Sequence, residues 1–141
     1  MVWLIEMSDD CIFCKIVKGE IPSYTLYEDD EIKVFMDLYP ASEGHSLYIP
    51  KEHFSTIYEL PEEKISFLRK LPIIAEKLKA ATNATGLNIL QSNGKDAGQV
   101  IDHIHFHLIP RYPEDHLMDI VSKSELEEDE ARKLVEIFKN S

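Results

Sequence analysis

The chain has 141 residues, 44% hydrophobic and 29% charged, the balance of one soluble globular domain rather than a disordered or low-complexity chain. Lys and Arg total 15 against 26 Asp and Glu, a net charge of −11, which argues against a fold that grips long nucleic acid through its phosphates. A small phosphorylated ligand stays open, because backbone N–H groups and a few local donors hold one phosphate without a basic surface.

No apolar run approaches the roughly 18 residues of a membrane span. The opening MVWLIEMSDD has an acidic flank and no basic leader, so no signal peptide is expected. Cys11 and Cys14 stand so close that a disulfide would staple almost nothing. These features point to an intracellular, cytoplasmic protein that does not associate with membranes.

In chain order, residues 11–18 predict one or two helical turns closed by Gly19, with Pro22 beyond. Tyr24 to Glu28 and Glu31 to Asp37 predict a hairpin around Asp29-Asp30, the second strand carrying apolar residues on both faces. His45 to Ile49 reads as a third strand ending at Pro50. From Pro61 to Ala81 the period turns helical, with Ile65, Leu68, Leu71, Ala75 and Leu78 as one buried stripe and Pro72 as a kink. Leu87 to Gln91 predicts the fourth strand, and Val100 to Ile109 the fifth. Ser124 and Glu127 form a capping-box pattern before a terminal helix that carries Leu126, Leu134 and Ile137. Strands and helices do not alternate strictly, so the class is α+β with a mostly antiparallel sheet.

The informative segment is HIHFHLI, residues 103–109. On extended chain, residues two apart share a face, so His103, His105 and His107 line one side while Ile104, Phe106 and Leu108 pack on the other. Three imidazoles on one face are costly to bury without partners. Such a row can bind a metal, attack as a nucleophile or donate to an anion. The preceding loop SNGKDAGQ carries Gly94 and Gly98, which can aim backbone N–H groups at a phosphate. Cys11 and Cys14 have metal-ligand spacing; a redox role is weaker, because no thioredoxin-like βαβ pattern surrounds them.

The pattern His-φ-His-φ-His-φ-φ over His103 to Ile109 resembles the histidine triad (HIT) family of nucleotide hydrolases and transferases. CIFCKIVKGEIP, YEDD, GHSLYIPKEH, GKDAGQ and LIPR extend the resemblance over about residues 11–113, and it is most similar to the zinc-carrying Hint-type branch. It implies a single HIT domain over 1–141. The expected fold has a five-stranded antiparallel sheet, a long central helix and a C-terminal helix over about 124–139, joined as a homodimer.

The resemblance makes His105 a nucleophile that attacks the α-phosphorus of a nucleotide and forms a nucleotidyl-histidine that water then hydrolyses. It makes His107 a donor to phosphate oxygens, His45 a supporting fourth histidine, and Gln99 a contact to phosphate or leaving oxygen. Asp37 would hold the ribose hydroxyls, and Ile12, Phe13, Ile16 and Phe35 an apolar slot for a purine base. Gly98 would lie against the phosphate. Structural zinc would be held by Cys11, Cys14, His53 and His103, with His45 as the alternative fourth ligand; magnesium would accompany a polyphosphate substrate.

The sequence departs from the branch at Val100, where a Ser or Thr hydroxyl usually assists the leaving group. Ser92 replaces a phosphate-contacting Asn, although Asn93 is adjacent. The leading reading is therefore a hydrolase of nucleoside phosphoramidates, adenylates or dinucleoside polyphosphates. Val100 makes a nucleotide-binding module with little turnover the alternative.

Overall fold

Asp29 closes the first hairpin by accepting the N–H groups of Glu31 and Ile32 on Oδ1, at 2.8 and 2.9 Å, a side-chain mimic of a backbone turn. The computed structural model describes residues 10–116 and 128–140. The hairpin strands are β1 (Thr25–Glu28) and β2 (Ile32–Met36), followed by β3 (Ser46–Pro50), β4 (Gly86–Gln91) and β5 (Phe106–Arg111). Their order in the sheet is β1-β2-β3-β5-β4, and every neighbouring pair is antiparallel.

Both faces of this sheet are covered, which explains the apolar residues on both sides of β2. On one face Ile32, Val34, Tyr48, Ile104, Phe106 and Leu108 pack with Phe67, Ile74 and Leu78. On the other, Phe35, Leu47 and Ile49 pack with Phe13 and Ile16 of α1 (Ile12–Val17). Burying these side chains supplies the main stabilisation of both layers, about 1.5–3 kcal/mol for each large aliphatic or aromatic group.

The expected single kinked helix over 61–81 is corrected. Residues Glu62–Lys70 wind as a 3-10 helix and only Leu71–Thr82 (α2) is α-helical. Pro72 sits in the first turn of α2, where its missing N–H has no intrahelical partner to lose, so it starts the helix instead of bending it. The change of winding also rotates the stripe: Phe67 is buried and Ile65 is half exposed. Asn83, in a left-handed conformation at φ 58°, ends α2.

The fifth strand is corrected as well: its ladder begins at Phe106, not Val100, and continues to Arg111. The preceding backbone is spoken for elsewhere. The N–H of Ile104 donates to the carbonyl of Phe54 at 2.7 Å, and the carbonyl of Pro50 accepts from His103 Nε2 at 2.8 Å. The in–out alternation nevertheless runs through this extended stretch, so the histidine row keeps one side. Ser124, Leu126 and Glu127 lie outside the described residues; the terminal helix α3 spans Glu128–Lys139, and its Ile137 is exposed. No helix among the described residues is long and apolar enough to cross a membrane.

Candidate functional site

The stretch from His103 to His107, which runs from a bend into β5, lays three imidazoles along the α1 face of the sheet. Phe13 of α1 meets two of them edge-on, with ring centroids 5.9 Å from His103 and 5.2 Å from His105. The rings of His105 and His107 follow at 5.0 Å. A cavity of about 890 Å³ opens over His105 and His107 and is also lined by Asp37 and His45. Its walls include the expected Ile12, Phe13, Ile16 and Phe35, together with Gly98 and Val100 at its edge.

Main-chain partners set which nitrogen of His105 and of His45 carries a proton, and His45 in turn sets that of His107. His105 Nδ1 lies 2.7 Å from the carbonyl of His103, an acceptor only, so Nδ1 holds the proton and Nε2 keeps its lone pair. His45 Nδ1 accepts the N–H of Ala41 at 2.8 Å, which leaves the proton on Nε2. That Nε2–H donates to His107 Nδ1 at 2.9 Å, and His107 therefore carries its own proton on Nε2. The result is one imidazole with a free lone pair and, beside it, one with a free N–H.

Burial keeps these rings neutral. It pushes His107 down to about 4, reinforced by the neighbouring His105 and His45, and it lowers His105 against the opposing pull of the His103 carbonyl. His45 is likewise lowered by burial, while the Asp37 carboxylate works the other way from 3.5 Å. Asp37 Oδ1 accepts the N–H of Tyr39 at 2.8 Å, which fixes the carboxylate at the cavity wall with acceptor capacity to spare.

His45 enters β3 through Gly44, whose φ of +89° suits glycine alone; a methyl group there would lie 2.5 Å from Thr82 Cγ2. The start of β3 can thus approach the end of α2 closely, and His45 is delivered onto His107.

A second cluster lies at the other end of the row. Cys11, Cys14, His53 and His103 each point one ligand atom inward, all within 4.8 Å of one another. Cys11 Sγ and Cys14 Sγ stand 3.5 and 3.6 Å from His103 Nδ1, Cys14 Sγ 3.3 Å from His53 Nδ1, and the two Nδ1 atoms 3.2 Å apart. A tetrahedral zinc with its usual bond lengths needs N–N edges of about 3.4 Å and N–S edges of about 3.6 Å, so the donor set and spacing fit such an ion. The proton of His103 sits on Nε2, facing Pro50, and burial pushes this ring down to about 4, leaving Nδ1 free to ligate. His45 is not in this group; its Nε2 is turned toward His107.

Three expected contacts are placed elsewhere. Gln99 is buried with Oε1 accepting from Gly94 N–H at 2.7 Å and Nε2 donating to the carbonyls of Ser55 and Ile101 at 2.6 and 2.9 Å. Its side chain braces the loop and does not line the cavity. Asn93 is held by Gln91 and by the N–H of Ile57, and neither it nor Ser92 lines the cavity. Conversely, Leu38 and Tyr39 do line it and are 70% and 90% exposed, a signal open to sequence reading only as two large apolar groups directly after Asp37.

Comparison with known proteins agrees with this fold. A family model for the HIT domain matches residues 18–114. The adenosine 5′-monophosphoramidase HNT1 of Saccharomyces cerevisiae is 47% identical over 104 residues, 74% of this chain and 64% of that protein. Adenylylsulfatase HINT3 of Arabidopsis thaliana is 45% identical over 110 residues, 77% of this chain but 56% of that protein. The chain therefore spans less than two thirds of either relative. The crystal structure of SMU.412c from Streptococcus mutans superposes with a TM-score of 0.87 at 38% identity, covering 94% of this chain and 85% of that one. The family model takes in the whole histidine row and more than half of the chain, which belongs to the HIT domain family.

Proposed function

We propose that the protein is a nucleotide hydrolase of the zinc-carrying Hint-type branch that works at the α-phosphate through a nucleotidyl-histidine. The carrying observation is the 2.7 Å hydrogen bond from His105 Nδ1–H to the His103 carbonyl, which leaves the Nε2 lone pair for attack. In the first step Nε2 forms a bond to phosphorus, and the bond to the leaving group breaks, its electron pair departing with that group. In the second, water attacks the phosphorus and gives up a proton to solvent, the P–Nε2 bond breaks with its electron pair returning to Nε2, and a nucleoside monophosphate leaves. Through its Nε2–H, His107 stabilises the charge on the phosphoryl oxygens. The ribose is held by Asp37, and a purine base lies among Ile12, Phe13, Ile16 and Phe35.

The leaving group follows from charge. No Lys or Arg stands among the described residues that line the cavity, in a chain of net charge −11. A substrate with few negative charges beyond the reacting phosphate, such as a phosphoramidate or an adenylate, suits this site better than a dinucleoside polyphosphate, whose additional phosphates would need magnesium to offset their charge. The activities named for the yeast and plant relatives fall in the first class.

Zinc held by Cys11, Cys14, His53 and His103 would tie α1 to the start of the histidine row and supply structural, not reactive, chemistry. Two reduced cysteines in that cluster suit a reducing compartment such as the cytoplasm. A homodimer is supported by β4, which ends the sheet with half-exposed Ile89 and Leu90 on an open edge.

One observation favours a second reading, a nucleotide-binding module with little turnover: Val100, 86% exposed at the cavity, offers the leaving group no proton. The deciding experiment incubates the purified protein with adenosine 5′-phosphoramidate and, separately, with a diadenosine polyphosphate, and measures AMP. Turnover that His105→Ala abolishes in a folded protein supports the hydrolase; AMP binding without turnover of either compound supports the module.

A further inference from the structure

Lys33 is a buried ammonium that neither chemical step uses. It lies on β2 with 7% of its surface exposed, on the same side as Phe35 and therefore under α1. Its Nζ donates to the carbonyl of Ile16 at 3.0 Å. The nearest carboxylate oxygen given to it, Glu28 Oε1, is 4.0 Å away, and Glu28 binds Lys51 more closely, at 2.8 Å. A buried charge whose closest partner is a backbone carbonyl costs free energy that an apolar side chain would not. The position it anchors is informative.

Helix α1 has six residues, too few to hold their shape without tertiary support. Yet α1 and its cap carry parts of both sites: Cys11 and Cys14 face the two ligand imidazoles, and Phe13 stands edge-on to His105 as a wall of the cavity. The apolar cluster with Phe35, Leu47 and Ile49 presses α1 to the sheet without fixing how far it slides, because such contacts are non-directional. The hydrogen bond to Ile16 is directional, comes from a strand inside the sheet, and grips the last turn of α1.

We propose that Lys33 is a positioning residue for both sites at once: its grip on the Ile16 carbonyl sets where α1 presents Phe13 to the nucleophilic ring and Cys14 to the thiolate–imidazole cluster. The inference rests on the hydrolase reading for its kinetic consequence and on zinc for its metal consequence. It predicts coupling between two properties that share no atoms, nucleotide binding and metal retention.

The test uses the full-length, zinc-loaded protein with Lys33→Met, Lys33→Gln and Lys33→Arg. Three quantities are read: AMP affinity by calorimetry, KM and kcat for adenosine 5′-phosphoramidate, and the rate of zinc release to a chromogenic chelator. Lys33→Met should weaken AMP binding and raise KM about tenfold, leave kcat within about threefold, and speed zinc release about tenfold. Lys33→Gln, which keeps a donor but has a shorter reach, should fall between Met and wild type. Lys33→Arg, which keeps charge and donor, should stay within about threefold of wild type in all three and serves as the folded control.

A lower melting temperature with unchanged AMP affinity and unchanged zinc release, in Met or Gln, would overturn the proposal. So would an Arg variant that folds like wild type yet shows the full defect. Failure of the hydrolase reading looks different: the wild type would then bind AMP and retain zinc without turnover, and the binding and metal readouts would still decide the role of Lys33.

Discussion

His45 Nε2 donates to His107 Nδ1 across 2.9 Å, so a residue outside the histidine row decides which nitrogen of His107 faces the cavity. Without that donor, His107 is free to place its proton on Nδ1 and turn a lone pair toward the phosphate. His45→Phe should therefore lower kcat by about ten- to a hundredfold, the worth of one hydrogen bond to a developing charge, with a smaller change in KM. His45→Gln retains an N–H donor and should recover part of the loss. Equal kcat for Phe and wild type in steady-state assays would show that His107 orients itself.

Metal content gives a second expectation. Purified without chelators, the protein should hold about one zinc per chain by elemental analysis. Cys11→Ser and Cys14→Ser should reduce that content and lower the melting temperature, because α1 loses its tie to His103. Full zinc content in a Cys14→Ser protein would remove Cys14 from the ligand set.

Asp37 should discriminate ribose. Tyr39 N–H occupies one lone pair of Oδ1 at 2.8 Å, and the remaining acceptor sites are available to sugar hydroxyls. A 2′-deoxy substrate forfeits one charge-assisted hydrogen bond of roughly 1.5–3 kcal/mol, so kcat/KM should fall about ten- to a hundredfold. Asp37→Asn should narrow that gap and leave adenine and guanine within about tenfold of each other, since an apolar slot stacks either base. Equal rates for ribo and deoxy substrates in the wild type would remove Asp37 from sugar recognition.

Acid should destabilise the fold through His107. Its pKa is near 6.5 in the unfolded chain and is pushed down to about 4 in the folded one, chiefly by burial. The unfolded state thus binds the extra proton first, so the contribution is complete above pH 6.5 and is lost as pH falls toward 4. Its full size is roughly 3 kcal/mol. Thermal denaturation should show the melting temperature falling across that window, with a shallower fall in His107→Asn. A melting temperature independent of pH between 6.5 and 4 would contradict the neutral, buried assignment.

The histidine row was readable because a period of two needs no ladder, and the alternation of sides persists from His103 to His105, ahead of the first paired residue, Phe106. The gathering of Cys11, Cys14, His53 and His103 was legible in two parts: the two cysteines have metal-ligand spacing, and the family resemblance implied the two histidines. The direction of Gln99 was not: it depends on a loop turned by Gly94 and Gly98, both at positive φ, which points the amide at Ser55 instead of the cavity. Pro72 was misread because a proline inside a periodic run looks the same whether it bends a helix or begins one. The buried contact of Lys33 left no trace, because a lysine on an alternating strand ordinarily faces water.

Three of the imidazoles take their tautomer from main-chain atoms: His103 from the Pro50 carbonyl, His105 from the His103 carbonyl, and His45 from the Ala41 N–H. Backbone carbonyls cannot be deleted by substitution, and a backbone N–H only by proline. The tautomers of these three rings are therefore carried by the path of the chain, whereas their neutrality depends on the burial that the surrounding side chains provide. What mutation can readily alter is the shape and polarity of the vessel around an imidazole whose free lone pair is fixed by the backbone. Descendants of this sequence, natural or designed, should diverge in what they cleave long before they diverge in how they cleave it.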